Sequence, residues 1–187
     1  PVKDFSPITL VAETASVLVV HPSVPGTNVK ELIEHLKSRS APLSYSSAGN
    51  GSQPHLATEL FKTMSGTQLV HVPYKGGPEA ITAVLKGETC CIMNQVQTVL
   101  SHYKADKVRL LGVTTLKRVP AISEVPTISE SGLNGTRNFD SSIWFAVFAP
   151  KGTDAQIVSK LNSAIRTVLN TPEIKSKLES AGNSVRI

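Results

Sequence analysis

Apolar positions recur along this chain in two periods, two and about 3.6, and the switches between them mark its elements. β-branched apolar runs at 8–11 and 17–20 predict strands, and the second stops at His21-Pro22-Ser23-Val24-Pro25-Gly26. Val29, Leu32, Ile33 and Leu36 then repeat at helical spacing behind Thr27, a candidate cap. A strand is expected at 43–47. The next helix opens at Ser52 and Pro54, with Leu56, Leu60, Phe61 and Met64 as its expected buried stripe and Gly66 as its stop. The alternation continues with strand 68–72, turn 73–77, helix 78–86, strand 89–93, helix 96–104 and strand 108–114. Residues 116–138 are rich in Pro, Ser, Gly and Asn and predict a long surface connection with a short helical piece near Ile128. A strand at 143–149 carries the only Trp of the chain. One helix is expected from Thr153 or Asp154, with Ile157, Leu161, Ile165 and Val168 or Leu169 on one side. Another starts at Thr171-Pro172, carries Ile174 and Leu178, and stops at Gly182. Residues 184–187 predict the start of a further strand.

Strands and helices that alternate through short links predict an α/β fold, a doubly wound, mainly parallel sheet with helices on both faces. In such sheets ligands bind outside the carboxyl ends of the strands. That rule puts residues 47–52, 73–77 and Asn94-Gln95 on one rim. Residues 22–142 make one complete lobe in this reading. Residues 1–21 and 143–187 supply hinge strands and part of a second lobe, whose two amphipathic helices have little sheet to cover and need a further surface.

Composition narrows the class without changing that layout. At 187 residues, 40% hydrophobic and 18% charged, the chain is an ordinary globular sequence, which excludes disordered and collagen-like classes. No apolar run approaches the ~20 residues of a membrane span, and residues 1–16 lack the pattern of a secretory signal. Stable membrane insertion is therefore not expected. Lys and Arg outnumber Asp and Glu by 19 to 14, a weak bias towards anionic partners. The densest basic region, Lys104, Lys107, Arg109, Lys117 and Arg118, lacks interleaved aromatics and any nucleic-acid motif, so nucleic acid is not an expected partner. Cys90 and Cys91 show neither metal spacing nor a disulfide framework. Adjacent in an expected strand, they should face opposite sides as two buried thiols. His21, His35, His71 and His102 have no metal-ligating spacing and read as structural, and no metal or organic cofactor is required.

Candidate chemistry concentrates in Ser46-Ser47-Ala48-Gly49-Asn50-Gly51-Ser52, between a strand and a helix. Small residues let the backbone turn tightly, and the following helix leaves its first N–H groups unpaired at its positive dipole end, a combination that binds anions. The expected ligand contacts are Ser47, Ala48, Gly49, Asn50, Gly51 and Ser52. The competing reading is a turn and helix cap with no ligand. His55 either approaches the ligand or packs locally. Tyr74 and Lys75 lie at a second strand end. Asn94, at a third, either hydrogen-bonds a solute or caps the next helix. Asp140-Ser141-Ser142 reads as a lobe edge, and Trp144 as hinge packing. No catalytic residues are expected, because there is no G-x-S-x-G elbow and nothing places a base beside Ser47. Phosphate-loop and dinucleotide fingerprints are also missing from the loop. Two other functions stay open on the residues alone. One is an effector-sensing domain of a transcription regulator, which needs a helix-turn-helix segment that is not apparent here. The other is a small α/β hydrolase-like enzyme.

Ordered motifs run through nearly the whole chain: Leu43-Ser44-Tyr45-Ser46-Ser47-Ala48-Gly49-Asn50-Gly51-Ser52 with His55 and Leu56, then His71-Val72-Pro73-Tyr74-Lys75-Gly76, Val125-Pro126-Thr127 before Gly132-Leu133, Trp144-Phe145, and Ala149-Pro150-Lys151-Gly152. Together they resemble the Bug family, the solute-binding proteins of tripartite tricarboxylate transporters. The resemblance implies a two-lobed periplasmic receptor of the type II periplasmic-binding-protein plan, not an enzyme. Its lobes would close on a small organic acid, a di- or tricarboxylate or an aromatic carboxylate, and deliver it to inner-membrane transporter subunits. It also implies a further βαβ region with a Gly-rich turn ahead of residue 1 and more chain after Gly182, so that the sequence is expected to be a truncated form. Residues 17–21 and 143–149 become the expected hinge strands.

Overall fold

The computed structural model describes residues 2–180 and 183–185. The expected helix stop at Gly182 and the end of the last expected strand at 186–187 lie outside the described residues. Contacts along the chain group into two units, Ala15–Ser142, and Pro1–Thr14 with Ile143–Ile187. The two strands expected at 8–11 and 17–20 are one continuous strand, Phe5–Val20 (β1). Residues 12–16 between them, Ala-Glu-Thr-Ala-Ser, hold no Gly or Pro to break it, and their burial alternates as in a half-covered strand.

In the unit Ala15–Ser142, β1 is followed by Val29–Ser38 (α1), Leu43–Ser47 (β2), Gln53–Ser65 (α2), Leu69–Pro73 (β3), Gly77–Leu85 (α3), Cys91–Gln95 (β4), Val96–Lys104 (α4) and Arg109–Val113 (β5). The strands lie in the order β3-β2-β4-β1-β5. β2 is parallel to both β3 and β4, whereas β1 runs against β4 and β5. Four of its five strands run the same way, and β1, inside the sheet between β4 and β5, is reversed. Val17, Leu18, Val19 and Val20 are buried on both faces, as a central strand requires. Side chains alternate between two cores. Leu18, Val20, Tyr45, Cys91 and Met93 meet Leu32, Leu36 and Phe61 from α1 and α2. Val17, Val19 and Ile92 meet Ala80, Val84, Val96 and Val99 from α3 and α4 on the other face.

Two expectations change here. α2 does not bury the stripe of its largest residues: Leu56 and Leu60 are 58% and 39% exposed, and the buried positions are Ala57, Thr58, Phe61 and Ser65. Its last turn is covered at close range by backbone, since a Cβ placed on Gly135 would stand 2.3 Å from the Met64 carbonyl oxygen. Gly135→Ala should therefore destabilise this unit by about 1–3 kcal/mol through overpacking, read as a lower urea midpoint. An unchanged midpoint would contradict the close approach. Cys90 and Cys91, expected on opposite faces, belong to the same core with their sulfurs 3.3 Å apart. Cys90 precedes β4 and spends its N–H on the Ser44 carbonyl, so strict strand alternation does not reach it.

Both chain crossings out of this unit are held near Thr114, which is fully buried. The Thr114 N–H donates to the Ser16 carbonyl at 2.9 Å, and its own carbonyl accepts the Ser141 N–H at 2.7 Å. Its hydroxyl lies 3.1 Å from the Ser16 nitrogen and 2.5 Å from the Ser141 carbonyl oxygen.

In the other unit, β1 pairs with Ser142–Pro150 (β6) and with Asn183–Val185 (β7), the latter antiparallel with Ala12 opposite Val185. Helix Ala155–Leu169 (α5) is capped by Asp154, whose carboxylate accepts the Gln156 N–H at 2.7 Å, and Pro172–Ser180 (α6) follows. This unit buries little. Leu169 is the buried residue of α5, and Ile157, Leu161 and Val168 remain exposed. Along β6, Trp144 is 59% exposed, its ring tilted against Phe148 at 6.4 Å.

Candidate functional site

Parallel pairing brings the carboxyl ends of β2, β3 and β4 to one rim, and each strand hands the chain to a helix there. The three helices that begin on this rim share a defect. α2, α3 and α4 start at Ser52, Gly76 and Gln95, and in none of them does the capping position's side chain satisfy a helix N–H. α1 and α5, which do not follow these strands, are capped by Asn28 and Asp154 in the ordinary way. Ser52 occupies the cap position of α2 as expected, but its hydroxyl donates to the Gly49 carbonyl at 2.6 Å instead of accepting from the helix. The first N–H groups of α2 are left for another acceptor.

The loop is shaped by its glycines. Gly49 has φ +117° and Gly51 φ +74°, conformations that L side chains rarely adopt. The Ser52 N–H donates to the Gly49 carbonyl at 3.2 Å, and the Gly51 N–H donates to His55 Nδ1 at 3.0 Å. Ala48 and Asn50 contribute no N–H to any hydrogen bond among the described residues. Asn50 is exposed and Ala48 half-buried. Ser47, in contrast, is fully buried: its Oγ lies 2.6 Å from His71 Nε2 and 3.1 Å from the Gly49 nitrogen. Its carbonyl accepts the Tyr74 N–H at 2.9 Å, which ties the loop to the end of β3. Tyr74 thus adjoins the loop through its backbone, while its ring packs with the core on the α3 and α4 side.

Asn94 sits on the same rim but on the opposite face of the sheet. β2 and β4 are in register at Tyr45 and Cys91, so Asn94 lies at the level where β2 ends. It shares the face of Ile92, towards α3 and α4. Asn94 is 7% exposed; its Oδ1 accepts the Gln95 N–H at 2.8 Å, and its Nδ2 has no partner. A buried amide donor without an acceptor is costly, and a ligand oxygen at the rim would relieve it.

His71 escaped the sequence reading, which assigned it a structural role and placed no base near Ser47. The parallel register sets His71 opposite Tyr45, so both rings point to the α2 face with Ser47. His71 stacks on Tyr45 at 5.0 Å and on His55 at 4.0 Å, the latter with the rings 13° apart. Burial, and then the neighbouring His55 charge, holds the His71 imidazole below its ordinary range, with Glu59 pulling the other way. Behind the stack, the Tyr45 hydroxyl donates to Glu59 at 2.6 Å, and Lys62 bonds both oxygens of that carboxylate. Although burial opposes it, the hydrogen bonds from Lys62 and Tyr45 hold the Glu59 carboxyl below its usual value. The Ser47 and His71 pair does not make a nucleophile, since the hydroxyl is enclosed and shared with Gly49. Two open surface depressions, of about 450 and 420 Å³, include no residue of the 47–52 loop in their lining; the second is lined by Tyr74, Pro78 and Glu79, and the first by Ser6, Ile8 and residues of α5. Among the described residues no group of three or more His, Cys, Asp or Glu could hold a metal ion. Among the described residues no helix is long and apolar enough to cross a membrane.

Residues 1–186 match the family described as tripartite tricarboxylate transporter family receptor. The UPF0065 protein of the tcbD-tcbE intergenic region of Pseudomonas sp. (strain P51) is 35% identical over 180 residues, 96% of this chain and 53% of that protein. Protein BugT of Bordetella pertussis is 32% identical over 96% of this chain and 54% of its own length. The solved structure described as R. palustris Rpa4515 with adipate superposes with a TM-score of 0.85 at 34% identity, covering 99% of this chain and 61% of that one. The chain spans about half the length of the curated relatives it matches. The motif resemblance to Bug proteins holds, and the family is one of receptors rather than enzymes. The chain belongs to the tripartite tricarboxylate transporter family receptors.

Proposed function

We propose that this chain supplies one jaw of a periplasmic receptor that takes up a small carboxylate and passes it to an inner-membrane transporter. The observation that carries this reading is the rim of uncapped helix starts. The N-termini of α2, α3 and α4, the unpaired Ala48 and Asn50 amides and the unpartnered Asn94 amide all offer donors without a protein acceptor. A carboxylate has two oxygens with several lone pairs, and charge-assisted bonds to backbone N–H groups are the strong kind. The adipate bound by a relative of 34% identity supports the choice of ligand class. Family membership supports the transporter as recipient. In this reading residues 22–142 form the complete lobe, and 1–21 with 143–187 form hinge strands and part of the second. Capture is non-covalent: loop amides replace water around the acid, Ser47 shapes the loop from beneath, and closure of two lobes buries the solute.

Thermal unfolding of the whole protein with adipate, malate, tricarboxylates and aromatic acids tests the reading. An acid at 100 times its Kd stabilises the folded state by ~2.7 kcal/mol, which corresponds to a rise of roughly 5–10 °C in Tm for a domain of this size. A flat response to every acid class would overturn it.

A further inference from the structure

The two imidazoles beneath the loop come from different elements, His55 from the first turn of α2 and His71 from β3, and each holds one of the two glycines that shape it. His55 Nδ1 accepts the Gly51 N–H at 3.0 Å. His71 Nε2 lies 2.6 Å from Ser47 Oγ, and that oxygen accepts the Gly49 N–H at 3.1 Å. The rings stack on each other at 4.0 Å, with Tyr45 on the far side of His71. The Gly51 contact requires an unprotonated Nδ1, because an imidazolium is a donor at both nitrogens. It also fixes the tautomer of a neutral His55, whose proton must sit on Nε2.

We propose that His55 and His71 are positioning residues: stacked on each other, they hold Gly51 directly and Gly49 through Ser47 in the conformation that leaves the Ala48 and Asn50 amides free for an acid, and a proton on His55 Nδ1 breaks the Gly51 half of that lock. This rests on the reading of the loop as the carboxylate site. The groups facing the pair are Tyr45 from β2 and Glu59 and Lys62 from α2. Glu59 draws a proton towards His71, but its charge is already engaged by the Tyr45 hydroxyl and by Lys62. Burial, any charge on His55 and the Lys62 ammonium act against that proton, and the balance favours the neutral ring. The Gly51 contact is lost wherever His55 Nδ1 carries a proton.

Nitrogen-15 NMR of the full chain, without ligand, tests this. At about pH 8, above the ordinary imidazole range, the Gly51 nitrogen should show a through-hydrogen-bond coupling to His55 Nδ1. That coupling should vanish in acid, with the Gly51 amide resonance moving as it goes. His55→Ala should abolish the Gly51 coupling and shift both glycines. His71→Phe, which keeps a stacked ring and removes Nε2, should shift Gly49 and leave the Gly51 coupling in place. Glycine resonances that stay put across the titration and in both variants would overturn the proposal, as would a missing coupling at the alkaline end. Because the readout needs no ligand, its failure is separate from a failure to bind acids, which the thermal scan reads.

Discussion

Truncating Phe61 to alanine is expected to destabilise the unit Ala15–Ser142 by about 3–5 kcal/mol. Phe61 is the one large side chain that α2 buries completely, because its other buried positions are Ala57, Thr58 and Ser65. It meets Phe139 edge to face at 6.2 Å, and Tyr45, Met93 and Leu111 belong to the same core. A packed core relaxes only in part into the space a phenyl ring leaves, so the cavity cost adds to the lost transfer energy. Domains of this kind are stable by only ~5–15 kcal/mol, and the variant would sit near the edge of folding. Urea unfolding reads the effect as a lower midpoint at constant slope. Leu60→Ala is the control: 39% exposed, it should cost well under ~1 kcal/mol. If the two variants lost similar stability, the rotation of α2 described above would be wrong.

Gly49→Val should abolish acid binding while the protein still folds. At φ +117° a β-branched residue is strained, and the loop must shift to relieve it. A Cβ at Gly49 would meet nothing closer than the Tyr74 carbonyl oxygen at 3.5 Å, so the cost arises from the backbone and stays near ~1–3 kcal/mol. Binding suffers more, because the Gly49 carbonyl anchors both the N–H and the hydroxyl of Ser52, and its nitrogen anchors the loop to Ser47. Gly132→Val carries a similar strain, at φ +75° in open space, on a turn that holds none of the proposed ligand contacts. Calorimetry with the acid that gives the largest thermal shift should show at least a hundredfold weaker binding for Gly49→Val, about 2.7 kcal/mol, and an unchanged Kd for Gly132→Val. Equal affinities in the two variants would remove the loop from the site.

Element order could be read from the chain because period, caps and turn residues are local. Apart from β1, which joins two expected strands, the strands and helices fall within about two residues of their expected positions for the same reason. Three features depended on pairing and could not be read that way. The direction of β1 is set by its neighbours in the sheet, since Val17, Leu18, Val19 and Val20 would be buried in either orientation. The buried face of α2 was misread because large residues were counted, whereas the segment at Gly135 approaches closely enough to favour small ones. His71 was assigned a structural role because its partners, Tyr45 and Ser47, lie 24 or more positions away along the chain; the β2 and β3 register alone brings them together. The loop itself was legible from its glycines and following helix. Its missing caps were not, because Ser52 is a good capping residue whose hydroxyl turns elsewhere.

Trp144 is the only tryptophan in the chain, and it stands on the open face of β6 beside Phe148. The intrinsic fluorescence of the protein is therefore a gauge of what covers that face. Water around the indole gives red-shifted emission that moves to the blue when an apolar surface settles on it.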